Sequence, residues 1–271
     1  MGREAARLHR EGKTIALVPT MGYLHEGHLS LLRAGRDAAD ILVISIFVNP
    51  LQFGANEDFN VYPRDMERDL ELAESCGVDI VFAPAAADLY PGGFSTFVEV
   101  EGLTETLCGL SRPGHFRGVT TVVCKLFNLT RPDLAFFGRK DFQQLAVIRR
   151  MSSDLDLGIE IVGMPIVREP DGLAMSSRNQ LLKPNEREAA PLINQTLTEA
   201  AEKYRSLTPG EIKDQVINTL NEHPLMQVEY FDIVDSETLE SISDWDSAPN
   251  KIGCIAVHLG EVRLIDNRYF I

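Results

Sequence analysis

Short runs that are apolar at consecutive positions, instead of at every second one, recur along this sequence with helical stretches between them. "TIALVP" (14–19), "DILVISIFV" (40–48) and "VDIVFAP" (78–84) offer no polar face to water. A strand of that kind has to be covered on both sides, which is the situation of a parallel sheet whose crossovers are helices. The intervening "HLSLLRAGRDAA" and "RDMERDLELAESCG" have helical spacing, the second with a glycine stop. The alternation continues through a helix in "GVTTVVCKLFNLT", the strand "DLAFFG", a helix from "DFQQLAVIRRM" and the strand "IEIVGMPIV". The chain is therefore expected to open with a doubly wound α/β domain over residues 1–167.

After Val167 the texture changes. "REPDGLAMSSRNQLLKPNERE" is polar and loop-like, and two helices, about 185–205 and 209–222, precede the strands "QVEYFDIVD", "KIGCIAVHL" and "EVRLID". This predicts a smaller C-terminal α+β domain over residues 168–271, hinged near 166–172. The 271 residues carry a formal net charge of −14, which argues against a broad nucleic-acid footprint, because phosphate backbones attract Lys/Arg surfaces. Cys76, Cys108, Cys124 and Cys254 are far apart with no C-x-x-C pair, so reduced thiols are expected in place of a zinc knuckle or a disulfide framework. The N-terminus is charged and no run approaches the roughly 18 apolar residues of a membrane span. A cytoplasmic protein without a membrane partner is the expectation.

Three segments carry the chemistry. In "PTMGYLHEGH" the first strand ends at Pro19, Gly22 permits a tight turn and close approach of a ligand, and His25 and His28 lie one turn apart at a helix start. Such a pair can bind a metal, hold an anion or simply fill space. Ligands of open α/β sheets gather at the carboxyl ends of strands, where helix N-termini favour phosphate. The zinc-protease pattern needs histidines four apart with an adjacent acid, and here the spacing is three. "FFGRKDFQQ" (136–144) repeats the strand, glycine and charged helix start: Lys140 suits a phosphate, Asp141 suits a helix cap or ribose hydroxyls, and a solvated turn would look the same. "GLAMSSRN" (172–179) offers Ser176, Ser177 and Arg178 as donors from a glycine-flanked loop. Together the three place donors where a nucleoside triphosphate sits at a switch point. There is neither a Walker A pattern nor G-x-G-x-x-G, which disfavours P-loop hydrolysis and dinucleotide binding.

"HEGH" with "MSSRN" resembles the paired signatures of the nucleotidyltransferase superfamily. "LVPTMGYLHEGH", "SIFVNPLQF", "YPRD", "GVDIVFAP", "RPGHFRGVTTVV", "FGRKDFQQL", "DGLAMSSRN" and "RLIDN", in that order, resemble the pantothenate synthetase (pantoate–beta-alanine ligase) family over nearly the whole chain. The resemblance implies a Rossmann-like domain binding nucleotide and pantoate, with the smaller domain closing over the ATP site. It implies ATP-dependent condensation of pantoate with beta-alanine to pantothenate, AMP and pyrophosphate through a pantoyl-adenylate, with Mg²⁺ and a homodimer. By the same resemblance Met21, Gly22, Tyr23, Leu24, His25, Glu26, Gly27 and His28 form an ATP segment, with His28 the proton donor. Gly138, Arg139, Lys140, Asp141, the Val167 backbone, Met175, Ser176, Ser177 and Arg178 supply the other ATP contacts, and Gln52 and Gln144 bind pantoate.

The residue types suit that chemistry. Carboxylate attack on an α-phosphate is helped most by donors that strengthen as charge moves to the leaving pyrophosphate, a part His25, His28, Lys140, Ser176, Ser177 and Arg178 can play. Neutral glutamines bind a hydroxy acid without quenching it by ion pairing. The competing readings are another small-substrate adenylyltransferase, a non-catalytic nucleotide sensor and a zinc hydrolase. About ten residues precede the first strand, fewer than the family usually has, which implies a trimmed sheet edge.

Overall fold

In the computed structural model, which describes residues 1–55 and 57–271, the continuous apolar runs become the strands of a five-stranded parallel sheet. In chain order the first part contains α1 (Gly2–Arg10), β1 (Ile15–Thr20), α2 (Glu26–Ala38), β2 (Ile41–Ile46), α3 (Met66–Ser75), β3 (Ile80–Phe82) and α4 (Ala86–Leu89). It continues with α5 (Leu107–Ser111), α6 (His115–Thr130), β4 (Leu134–Gly138), α7 (Phe142–Asp154) and β5 (Glu160–Met164). The strand order is β3-β2-β1-β4-β5. β1 pairs in parallel with β2, from Ile15 opposite Ile41 to Thr20 opposite Ile46, and with β4 through Leu17 opposite Ala135. Ile15, Ala16, Leu17 and Val18 of β1 are wholly buried, as a strand covered on both faces requires. Chain order reverses between β1 and β4. The crossovers diverge there, and the crevice at the carboxyl ends of those strands is where such sheets take ligands.

The central place of β1 also means that the residues before it do not form a sheet edge; they form α1. β5 ends at Met164, short of the predicted Val167.

The rest of the chain forms α8 (Pro184–Ala189), α9 (Leu192–Glu202), α10 (Pro209–Asn221) and the strands β6 (Met226–Asp235), β7 (Lys251–Leu259) and β8 (Val262–Phe270), an antiparallel sheet in the order β6-β7-β8. Leu197, Ile212, Val216 and Leu220 from the helices share one core with Phe231, Ile255, Val257 and Phe270 from the strands. α10 starts where its capping box dictates: Thr208 Oγ1 accepts from the Glu211 N–H at 3.2 Å, Glu211 Oε2 accepts from the Thr208 N–H at 2.8 Å, and Pro209 fills the first position. The single helix predicted over 185–205 is instead two, α8 and α9, broken at Ala190–Pro191. Proline has no N–H to continue the helical bonds of the turn before it.

The chain divides into two compact units, and not by one cut. The first comprises 1–101, 112–139 and 147–165; the second comprises 102–111, 140–146 and 166–271. Thus α5 and the start of α7 belong with the antiparallel sheet. Among the described residues no helix is long and apolar enough to cross a membrane.

Candidate active site

β1 ends at Thr20, and the chain then turns through two left-handed residues, Gly22 at φ 82° and Tyr23 at φ 52°. Backbone of this kind directs successive N–H groups into one concavity, a nest that accepts an anion. The anion is supplied by the protein. Asp69 of α3, 1% exposed, accepts from the Tyr23 N–H through Oδ2 at 2.7 Å and from the Leu24 N–H through Oδ1 at 2.6 Å. A Cβ on Gly22 would lie 2.8 Å from Asp69 Oδ2 and 3.0 Å from Ile46 Cγ2. The glycine therefore makes room for this carboxylate, where the sequence suggested room for a ligand.

α2 begins immediately after this turn, with His25 as its N-cap. His25 Nδ1 accepts from the Gly27 N–H at 3.1 Å, and His28 Nδ1 reaches back to accept from the His25 N–H at 3.3 Å. This is the logic of a capping box, with imidazoles in place of hydroxyl and carboxylate. The rings lie 4.0 Å apart, centre to centre. A ring nitrogen that accepts carries no proton, so the neutral tautomer of each ring bears its proton on Nε2. Both rings thus carry a donor on Nε2. The neighbours differ in role: Leu24 is wholly buried, and Glu26 is held by Arg33 of the same helix at 2.5 Å.

Gln52 closes a short 3-10 turn, Pro50–Gln52, whose N-cap is Asn49. Asn49 Nδ2 donates to Gln52 Oε1 at 3.2 Å and to the Gly118 carbonyl of α6 at 3.0 Å, while its Oδ1 accepts from Tyr90 Oη at 2.8 Å. Gln52 Nε2 lies 3.1 Å from Met21 Sδ, so these two predicted site residues touch. The Gln52 carbonyl is gripped by His115 Nδ1 at 2.8 Å and Arg112 Nη2 at 3.3 Å. Glu57 faces Arg112 as its ion-pair partner. Burial works against the Glu57 charge, but the Arg112 guanidinium outweighs it and holds the carboxyl below its ordinary range. Asn49, Arg112 and His115 were not assigned from the sequence. Their signal was there, in the same "NPLQF" and "RPGHFRG" segments that carry the resemblance.

The other predicted residues follow β4. That strand runs out at Gly138, and Arg139–Asp141 form a 3-10 turn leading into α7. Arg139 donates through Nε to the Gly163 carbonyl of β5 at 3.0 Å. Lys140 makes a loose pair with Asp141 at 3.8 Å, and its carbonyl accepts from Asn267 Nδ2 at 2.9 Å. Of the two adjacent glutamines, Gln143 is structural: it binds the Cys108 N–H at 3.0 Å and the carbonyls of Leu103 and Thr106 at 2.8 Å each. Gln144 is half-buried.

The loop 167–175 closes on itself. The Val167 carbonyl accepts from the Met175 N–H at 3.0 Å, and Gly172 turns at φ 94°. Arg168 binds Asp266 through two bonds, 2.6 and 2.9 Å. Ser176 caps a 3-10 turn, Ser177–Leu181, accepting from the Arg178 N–H at 3.2 Å, and Ser177 is buried. The "RLIDN" segment is thereby explained: Asp266 anchors the loop carrying Ser176–Arg178, and Asn267 anchors Lys140.

This is a doubly wound α/β protein with a histidine-capped helix at the switch point and a separate antiparallel unit. The model of one family, described as pantoate-beta-alanine ligase, matches residues 1–269. A curated relative, the pantothenate synthetase of Geobacter sulfurreducens, is 60% identical over 264 residues, covering 95% of this chain and 91% of that protein. Among solved structures, a pantothenate synthetase from Thermus thermophilus is similar with a TM-score of 0.92 at 46% identity, covering 98% of this chain and 97% of that one. The ligase from Francisella tularensis, complexed with beta-gamma ATP and beta-alanine, has a TM-score of 0.82 at 32% identity, covering 99% and 95%. The chain belongs to the pantoate–beta-alanine ligase family.

Proposed function

We propose that this chain condenses pantoate with beta-alanine at the expense of ATP, through a pantoyl-adenylate, with His28 as the donor to the departing polyphosphate. The observation that carries the assignment of His28 is its capping bond: Nδ1 accepts from the His25 N–H, which leaves Nε2 as the nitrogen that bears the proton. In the first step a pantoate carboxylate oxygen attacks the α-phosphorus and pyrophosphate leaves. The Nε2–H groups of His25 and His28, Lys140, and the hydroxyl and guanidinium groups of Ser176, Ser177 and Arg178 donate to oxygens that become more negative as it does so. Gln52 and Gln144 hold pantoate. In the second step the beta-alanine amine attacks the activated acyl carbon and AMP departs. Gly138 to Asp141, Val167 and Met175 complete the nucleotide contacts.

Mg²⁺ belongs to this reading as the ion that offsets the charge of the triphosphate. Among the described residues no group of three or more His, Cys, Asp or Glu side chains is placed to hold a metal. Mg²⁺ in nucleotide sites is carried largely by phosphate oxygens and water, with one or two carboxylates at most, so the donor set fits an ion that arrives with ATP. A cytoplasmic homodimer completes the proposal. His28→Ala tests it: with pantoate, ATP, Mg²⁺ and beta-alanine, AMP formation should fall about 100-fold or more, the cost of one well-aimed donor, in a protein that still folds. Full turnover in that variant would refute the role, and loss of ATP affinity alone would favour a nucleotide sensor.

A further inference from the structure

We infer that Arg68 and Asp69, consecutive residues of α3, are positioning residues that set the two histidines at the start of α2; this rests on the role proposed for His28. Asp69 is buried to 1% exposure, yet its neighbours on the same side, Leu72 and Ala73 of α3 and the C-cap residue Cys76, belong to the apolar core or pack against it. A carboxylate in such surroundings is costly unless it is fully used. Both its oxygens are used on one loop, at 2.7 Å to the Tyr23 N–H and 2.6 Å to the Leu24 N–H. Arg68 grips the same loop from its other side, donating through Nη1 to the Leu24 carbonyl at 2.9 Å, with its guanidinium 5.4 Å from the centre of the Tyr23 ring.

Leu24 is thus held at both its N–H and its C=O, and the next residue is His25. Because His25 caps α2 through Nδ1 and His28 binds the His25 N–H, a rotation of the 23–25 backbone is passed to both rings and changes where their Nε2–H groups point. The nest that a phosphate would otherwise find in this turn is filled by Asp69, so the turn serves the nucleotide through the imidazoles. Asp69 and Arg68 act only by aiming them.

Asp69→Asn keeps the shape and one acceptor but sets an N–H₂ against a backbone N–H. Activity per folded molecule, as kcat/KM for ATP, should fall on the order of ten- to hundredfold, the cost of misplacing a donor by a fraction of an ångström to an ångström. Arg68→Met, a change at a more accessible position, should lower it about threefold in the same direction and keeps the test open if Asp69→Asn does not fold. The deciding measurement is a double-mutant cycle with His28→Ala. If the α3 pair works through the histidines, each α3 substitution costs clearly less once His28 is gone than it does in the unaltered protein, the remainder passing through His25. Equal losses in both backgrounds, or no loss from either α3 substitution alone, would overturn the inference while leaving the ligase assignment intact. A fully active His28→Ala would instead remove the role of His28 on which it rests.

Discussion

Gly118→Ala sets two well-understood effects against each other. Gly118 lies in the first turn of α6, and in a helix alanine is favoured over glycine by about 0.5–1 kcal/mol. Propensity alone therefore predicts a more stable protein. The structure predicts the reverse, because a Cβ at 118 would stand 2.3 Å from the Leu51 carbonyl oxygen, 2.4 Å from its carbon and 2.6 Å from the Gln52 nitrogen. All three are backbone atoms, so no side chain can swing aside. Such contacts do not fall below 3.0 Å, so the turn must retreat by about 0.7 Å, the difference between 3.0 and 2.3 Å. That movement stretches the 2.8 Å bond from His115 to the Gln52 carbonyl beyond useful length. Overpacking against rigid atoms costs about 1–3 kcal/mol and a lost hydrogen bond about 1 kcal/mol, which together outweigh the propensity gain. Gln52 moves with the turn. Since an error of about 1 Å costs on the order of 100-fold in rate, kcat/KM for pantoate should fall tenfold or more. Thermal unfolding and pantoate-dependent AMP release in the presence of beta-alanine measure the two effects. A variant with a raised melting midpoint and wild-type pantoate kinetics would show that the turn yields freely, and the reasoning would be wrong.

Asn267→Ala removes the 2.9 Å bond to the Lys140 carbonyl, and kcat/KM for ATP should fall about tenfold, the order of one net hydrogen bond to the site, with the pantoate KM unchanged; unaltered ATP kinetics would count against Asn267 as the anchor of Lys140. Glu229 is partly buried, which opposes its charge, but Arg263 at 2.7 Å, with Ser111 and His258, overcomes this and brings its carboxyl down to about 2. A depressed carboxylate contributes stability that is complete above its unfolded value near 4.5 and is lost as pH falls towards 2. At face value the displacement is worth about 3 kcal/mol, and solvent screening of a group that is still partly exposed reduces the expectation to about 1–2 kcal/mol. Glu229→Gln should accordingly melt lower at pH 7 and lose less than the unaltered protein between pH 4.5 and 2. Parallel pH curves for the two proteins would refute the assignment.

The parallel sheet was legible because consecutive apolar residues such as Leu42, Val43 and Ile44 admit no solvent-facing side, and this is a local property of the chain. Strand order was not, since nothing within β1 says that its neighbours are β2 and β4. The break at Pro191 was written in the sequence but masked by helix-forming residues on both sides. Among the proposed site residues, His25 and His28 announced themselves by type and position, and Gln52 only through its place in a segment that resembles the family's. Asp69 did not, because a charged residue inside "RDMERDLELAESCG" looks like a solvated helix face; its signal was its place at three, four and seven residues before Leu72, Ala73 and Cys76. The purpose of Gly22 was likewise beyond sequence reasoning, as the carboxylate it accommodates is 47 residues away in the chain.

The interleaving of the two units also bears on how the chain is made. Residues 102–111 and 140–146 emerge from the ribosome long before β7 and β8, which complete the antiparallel sheet of their unit. During vectorial synthesis, in which earlier domains usually fold first, Gln143 and Cys108 can meet at once, but Arg263, whose guanidinium reaches the Cys108 sulfur at 3.7 Å, arrives only near the end. The nascent first unit must carry these two segments as unfinished business, and a gene cut after residue 167 would leave them so permanently.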